Sequence, residues 1–460
     1  MPSLLTQQYR SSLGQTFLNH LQAWELTGNG SPLALYLFVG RSQPWPSGDT
    51  PPAVLDVPQS VTYDFWRDML SAKRCRVANM TFVIARTDWS TNTVYTQYDD
   101  TANTTPSVVL DANNYSVYSC LWNANNANSV DPPSSGANGS HQYVKTTADG
   151  YVWKYLYSLP SGTSDKYLTN AWVPVYVESA VQVDAANNAG RLAIDVPLVV
   201  EDGGSYDPAE PIIATVVGDG AGATISNSSI TLTGNNLTAI SLVDGGARYT
   251  QVTSINVYQS GATAATVRAI IPPYPNHGYD LVSELDAKHI MISVLLDNRV
   301  GDVLTTSNEF RRLGLVLNPI ERDSEEIANN DFYHQTYDLT LSANVGAFVA
   351  DDVMYNANVA YSANLAVAPS GLVVDVIQNA AGNNVLRLTA VNAAGQVTPF
   401  VDGESVKDAA TNTVQGFIAN VALPELLPYT GTIIFASHHA PVQRTPDNFE
   451  EIKIVLPFGG

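Results

Sequence analysis

The chain has 460 residues; 45 % are hydrophobic, only 14 % are charged, and 43 acidic against 22 basic side chains leave a net charge of −21. That hydrophobic share supports real cores, and at roughly 100–200 residues per domain the length allows two to four of them. Such acidity excludes neutralising the phosphates of a duplex or adhering to an anionic membrane surface.

With few ions, the polar surface falls to Asn, Thr, Ser and Gln. These side chains cost less to desolvate than charges and suit permanent contacts with other proteins. Residues 1–10 lack a basic stretch followed by an apolar one, so no signal peptide is expected. Leu4, Tyr9, Leu13, Phe17, Leu18 and Leu21 recur at near-helical spacing and predict an amphipathic helix. Residues 33–39 (LALYLFV) form an apolar strand closed by Gly40. A second helix is expected over 63–73, where Phe65, Met69 and Leu70 share a face. Cys75 and Cys120 match no zinc spacing and read as small buried hydrophobes. The stretch 123–140 reads as a mobile loop or partner-binding arm. Residues 151–159 (YVWKYLYSL) are a strand ended by Pro160 and Gly162, and 290–296, 313–317, 432–435 and 452–456 add further strands. No apolar run reaches the roughly 18 residues of a membrane span.

Two stretches differ in composition. Residues 196–273 are rich in Gly, Ala, Thr and Val and hold a repeat: Asp202-Gly203-Gly204-Ser205-Tyr206 returns as Asp244-Gly245-Gly246-Ala247-Arg248-Tyr249. Each copy is followed by a Gly/Ala/Thr string, residues 220–224 and 261–265. Asp-Gly-Gly supplies a tight turn with positive φ, and each Tyr is expected to cap the small core that follows it. Two copies are too few for a solenoid, so the reading is a small β module of paired half-units. Residues 340–423, rich in Ala, Asn and Val, alternate in strands at 372–377 and 385–391; residues 346–353 and 396–406 share a loose Phe-acidic turn-Val pattern. The expected architecture is therefore mainly β: a multi-domain β-sandwich core with a short N-terminal helix and two inserted small β modules. The core takes 1–195, 274–339 and 424–460, and the modules take 196–273 and 340–423.

No catalytic constellation emerges. Residues 218–223 (GDGAGA) imitate a dinucleotide loop, but the spacing is wrong and the continuation is strand-like. Adjacent His438 and His439 point to opposite faces of a strand, and His20, His141, His277, His289 and His334 are scattered, so all read as surface or loop histidines. The acidic pairs Asp351-Asp352 and Glu325-Glu326 read as solvated turns, lacking the ligand ladder of a calcium loop. No enzyme activity, cofactor or metal is expected.

Short strings in order carry more information. Val39-Gly40-Arg41-Ser42-Gln43-Pro44-Trp45 is followed by Ala85-Arg86-Thr87-Asp88-Trp89 and Asp149-Gly150-Tyr151-Val152-Trp153-Lys154-Tyr155. Phe310-Arg311-Arg312-Leu313, Asn318-Pro319, Gly431-Thr432-Ile433-Ile434-Phe435 and Glu450-Glu451-Ile452-Lys453-Ile454 complete the series. Together they resemble the baseplate wedge family known as gene product eight in T-even-like, contractile-tailed phages. The resemblance spans the chain end to end but lapses in the two modules. It implies a structural, homodimeric virion subunit of the tail baseplate, made in the host bacterial cytoplasm. Its partners would be other wedge proteins, with no nucleic acid and no membrane. Gly40, Arg41, Ser42, Pro44, Trp45, Asp149, Gly150, Tyr151, Trp153, Tyr155, Asn318 and Pro319 are its signature residues, and fold maintenance is their expected work. Arg41 is expected to fork onto a carboxylate or carbonyls beside Trp45. Tyr151, Trp153, Tyr155 and Tyr157 are expected on one strand face, with Val152, Lys154 and Leu156 on the other. The rival readings are a receptor- or carbohydrate-binding tail adhesin, suggested by the Gly/Asn/Thr-rich modules, and a hydrolase using their acidic residues.

Overall fold

The computed structural model describes residues 5–27, 33–102, 105–139, 142–297, 309–344, 348–357, 368–392, 400–442 and 449–459, and they are mainly β. Leu4, His141, Gly346, Ala347 and residues 396–399 of the stretch 396–406 lie outside these residues. The chain forms two compact units, each from separated segments. Met1–Gln15, Thr81–Met291 and Val455–Gly460 make the first; Thr16–Met80 and Ile292–Ile454 make the second.

The first unit contains a five-stranded sheet in the order Val108–Asp111, Ser116–Trp122, Val152–Ser158, Val144–Thr146, Ala137–Asn138. Both faces of its middle strand are covered. Trp153 and Tyr155 pack with Tyr95, Tyr118, Cys120 and Tyr151, while Val152 packs with Leu121, Val144 and Val196. Tyr157 falls outside the aromatic cluster. Val117 pairs with Tyr157 and Tyr118 with Tyr155, so Leu156 is an extra residue that interrupts the alternation. Helices Ser161–Tyr167 and Ser179–Asn187 follow, two elements that the sequence reading did not single out.

The repeat is built reciprocally. Both turns are alike: Asp202 Oδ1 accepts from Gly204 N at 2.9 Å, and Asp244 Oδ1 accepts from Gly246 N at 2.9 Å. Gly204 and Gly246 have φ of +57° and +63°. The first turn, however, pairs with the second string, through Ser205 N to Thr263 O at 2.9 Å. The second turn pairs with the first string, as Ala223 opposes Gly245. Tyr206 Oη accepts from Ala265 N at 2.7 Å, and Tyr249 Oη accepts from Ala223 N at 3.4 Å. Each Tyr thus seals the other copy's string, not the one that follows it. Both rings enter one shared core with Leu192, Leu237, Ile255 and Val257.

The second unit has a five-stranded sheet in the order Phe332–His334, Met69–Arg74, Leu35–Gly40, Phe310–Leu317, Thr432–Val442. Residues 63–73 are not one helix. Helical segments Gln59–Asp64 and Phe65–Asp68 end at Met69, which turns extended (ψ 131°), and Met69–Arg74 becomes a strand. Pairing with Leu35–Gly40 on one side and Phe332–His334 on the other satisfies both backbone edges, and this outweighs the helical pattern. Six strands, Tyr337–Asn344, Asn384–Asn392, Ser370–Gln378, Val353–Asn356, Ser405–Asp408 and Val414–Ala422, close into a barrel. Leu339, Val373, Leu386, Leu388, Phe400 and Val406 fill it.

The N-terminal helix is Gln7–Thr27. Its covered face differs from the one expected: Tyr9 is 50 % exposed, whereas Ser11 and Leu21 are buried. Gly14 sets that face, because a Cβ there would lie 2.8 Å from the Phe82 ring.

The module supplies its own control for these turns. Gly234 shares the positive φ (+61°) but has nothing within 4 Å of an added Cβ, whereas at Gly246 that carbon would strike Ala221 O at 2.5 Å. Gly234→Ala should cost about 1–2 kcal/mol, the strain of a left-handed residue alone. Gly246→Ala should cost clearly more, read from urea unfolding midpoints of the two variants.

Candidate functional site

Strand Phe310–Leu317 carries Arg311 and Arg312 as neighbours, so their side chains leave opposite faces. The Arg311 side chain is 2 % exposed and forks onto Asp49: Nε donates to Oδ1 and Nη2 to Oδ2, both at 2.7 Å. It also donates to Glu309 and to the Ser42 carbonyl. Asp49 Oδ1 accepts from Trp45 N at 2.9 Å as well. The bond from Arg311, then the bond from the Trp45 amide, hold the Asp49 carboxyl down at about 2.

On the other face, Arg312 Nη1 donates to Asp64 O and Asp68 Oδ2, each at 2.8 Å. Its guanidinium lies 4.9 Å from the Phe65 ring centroid and 5.6 Å from that of Trp45. Arg41 covers Trp45 at 4.3 Å, donates through Nη2 to Pro44 O at 3.0 Å, and reaches Asp68 Oδ2 at 3.4 Å. Gly40 lets this happen, because a Cβ there would sit 2.6 Å from Asp68 O. Trp45 is buried and donates from Nε1 to His439 O at 2.9 Å. His438 lies 4.6 Å from the Trp45 ring, stacks on Phe65 at 5.5 Å, and hydrogen-bonds Pro52 O through Nδ1 at 2.9 Å. Burial lowers the His438 pKa, and Arg312 and Arg41 push the same way, which favours the neutral ring with its proton on Nδ1. His438, read as a surface or loop histidine, is thus half-buried in a strand, whereas His277 lies in a turn as expected but is buried and bonded through Nδ1 to Glu284 Oε1 at 2.7 Å. Asn318 stands apart from the arginine cluster: its Oδ1 accepts from Ala34 N at 2.7 Å, at φ +50° just before Pro319.

In the first unit the signature gathers on one carboxylate. Asp149 Oδ2 accepts from Ser129 Oγ (3.1 Å), Val130 N (2.8 Å) and Asp131 N (3.1 Å), and Oδ1 accepts from Thr147 Oγ1 and Tyr151 N (3.2 Å). Burial raises its pKa, but these bonds outweigh burial and hold the carboxyl below the usual range. Tyr151 Oη donates to Ala127 O at 2.6 Å, and Asn123 Nδ2 to Tyr95 O at 3.0 Å. Residues 123–131, within the stretch 123–140 read as a mobile loop or partner-binding arm, are thus tied to the sheet by hydrogen bonds. Gly150, at φ +86°, makes the turn between Asp149 and the aromatic strand.

Lys154 lies on the sheet face opposite Trp153, where alternation placed it. It lines a cleft with His277, Asp184 and Arg191. Burial lowers its pKa, countered in part by Asp184 at 3.7 Å. The sequence reading missed the His277–Glu284 pair; no spacing rule singles it out. Residues 218–223 form a turn and strand in which Asp219 accepts from Thr250 N and Gln251 N, each at 2.9 Å, and only a single 3-10 turn, Asn227–Ser229, follows in place of an α-helix. Among the described residues, no three metal-ligating side chains meet.

No family model matches the sequence. The chain is 26 % identical over 215 residues to the baseplate wedge protein gp8 of Enterobacteria phage T4. That match takes in 38 % of this chain and spans 60 % of the length of the curated relative.

Two outcomes test these clusters. Asp49 is depressed from its ordinary 3.8, so its contribution is complete above that value and fades as pH falls toward about 2. Asp49→Asn should lower stability at neutral pH and flatten this part of the acid profile, followed by denaturant unfolding at stepped pH. Asp149→Ala should strip hydrogen-exchange protection from the amides of Val130 and Asp131 while leaving those of Val152–Ser158 protected.

Proposed function

We propose that this chain is a structural subunit of a phage tail baseplate, a wedge component whose work is to be held by neighbouring subunits. The observation that carries this reading is the similarity to the phage T4 wedge protein. The chemistry of the signature residues agrees with it. The signature residues Arg41 and Asp149, like Arg311, Arg312, Asp49 and Asp68 elsewhere in the chain, are engaged by internal partners, and groups so engaged stabilise turns instead of reacting with a substrate.

In this reading the protein lies in the virion tail of a contractile-tailed phage, after synthesis in the host cytoplasm. It contacts other wedge proteins and pairs with a second copy of itself. It has no catalytic role and needs no cofactor. The stretches 196–273 and 340–423 are modules inserted into the ancestral core, which is why the recognisable strings bracket them. A surface low in charge and rich in neutral polar groups suits contacts that form once and persist.

The decisive experiment removes the gene from a phage that carries it. Particles should then lack complete contractile tails, and protein supplied from a plasmid should restore them. Normal tails in the deletion strain would sink the proposal. In parallel, light scattering on the purified chain at micromolar concentration should report twice the 49.4 kDa chain mass.

A further inference from the structure

In the repeat module of the first unit, one strand has a side that nothing covers. Strand Ile213–Gly218 pairs antiparallel with Val252–Tyr258, placing Ile213 opposite Tyr258 and Val217 opposite Ser254. These two strands make a sheet by themselves, and among the described residues no backbone hydrogen bond reaches the other side of 213–217. The companion strand is met from outside the ribbon, since Tyr206 Oη donates to Val257 O at 3.3 Å. Ile213, Val217 and Tyr258 are 60 %, 43 % and 63 % exposed, and Thr215 is exposed between the first two. Even Ala214 and Val216, which face the module core, stay partly open.

An open edge is a template for another strand, and proteins that must stay single guard it with charges, prolines or bulges. Here the guards stand only at the ends, with Pro211 before the strand and a register shift between Val217 and Gly218. The flanking acids lie beyond them: Glu210 precedes Pro211, and the Asp219 carboxylate is held by Thr250 N and Gln251 N. Residues 211–218 and 252–258 carry no charge at all. A chain of net charge −21 repels its own copy across most of its surface, so self-association needs a neutral strip such as this one. We propose that strand Ile213–Gly218 pairs antiparallel with the same strand of a second copy across a twofold axis, joining the two ribbons into one sheet. With Thr215 on the axis, Ile213 of each copy lies opposite Val217 of the other, and the open backbone groups of both edges meet. The strand reads alike in both directions, β-branched apolar, threonine, β-branched apolar, which an edge shaped for a different chain does not require. This inference rests on the pairing with a second copy stated above and gives that pairing its place.

Sedimentation velocity on the full chain over a concentration series tests it. The wild type is expected to dimerise at micromolar concentration. Thr215→Glu and Thr215→Lys should each weaken the dimer more than about tenfold, because like charges then oppose each other on the axis. An equimolar mixture of the two variants should dimerise again, since opposite charges then meet. Thr215 is exposed, so both variants should keep the wild-type circular dichroism spectrum. Wild-type dimer strength in both variants overturns the inference and leaves the pairing itself standing. Weakening by only one variant, or a mixture that stays monomeric, also overturns it, in favour of an edge kept for a different chain. A monomeric wild type overturns the inference and the pairing together, while the tails of the deletion strain report separately on the baseplate reading.

Discussion

Neutralising two adjacent guanidinium groups inside the second unit is the constraint on which its central sheet depends. Arg311 and Arg312 must send their charges to opposite faces of one strand, and each needs carboxylates that the strand cannot supply. Beside the local Glu309, the acids come from far up the chain, Asp49 for one and Asp68 for the other. An unpaired buried charge costs several kcal/mol, roughly the net stability of a small domain, so the 41–49 turn and the 64–68 segment have little freedom to sit elsewhere. Trp45 lies between the two arrangements, covered by Arg41 and Arg312 and anchored to His439 O.

The first unit solves a similar problem with one carboxylate and several neutral donors. Asp149 gathers backbone amides and hydroxyls from two separate turns, which aligns residues 129–131 with the start of the aromatic strand. The repeat module solves it by exchange. Neither half-unit buries its own Gly/Ala/Thr string, so each tyrosine ring and each Asp-Gly-Gly turn completes the opposite copy. Small residues at the crossing let the backbones approach, and a shared core of aliphatic side chains follows. The outcome in both places is polar chemistry turned inward.

Much of the architecture was readable from local pattern. The apolar run before Gly40, the alternating strand after Gly150, the Asp-Gly-Gly turns and the alternation within 372–377 and 385–391 all belong to strands and turns where they were expected. Of the cluster around Trp45, Arg41 and Trp45 stood out as a motif. Asp68 did not, and although Arg312 belonged to a recognised string and His438 to a histidine pair, nothing tied either to Trp45, since no fixed spacing links residues so far apart in sequence.

What the sequence determined by itself was the β character, the turn positions and the two-copy repeat, because alternation and glycine-bearing turns act over a few neighbouring residues. Tertiary structure decided that Met69–Arg74 is a strand, that the N-terminal helix buries Ser11 and Gly14 instead of Tyr9, and that each repeat tyrosine seals the other copy. Those choices turn on which distant surface lies beside a segment, and backbone hydrogen bonds and packing against it outweigh the few tenths of a kcal/mol per residue that local preference contributes.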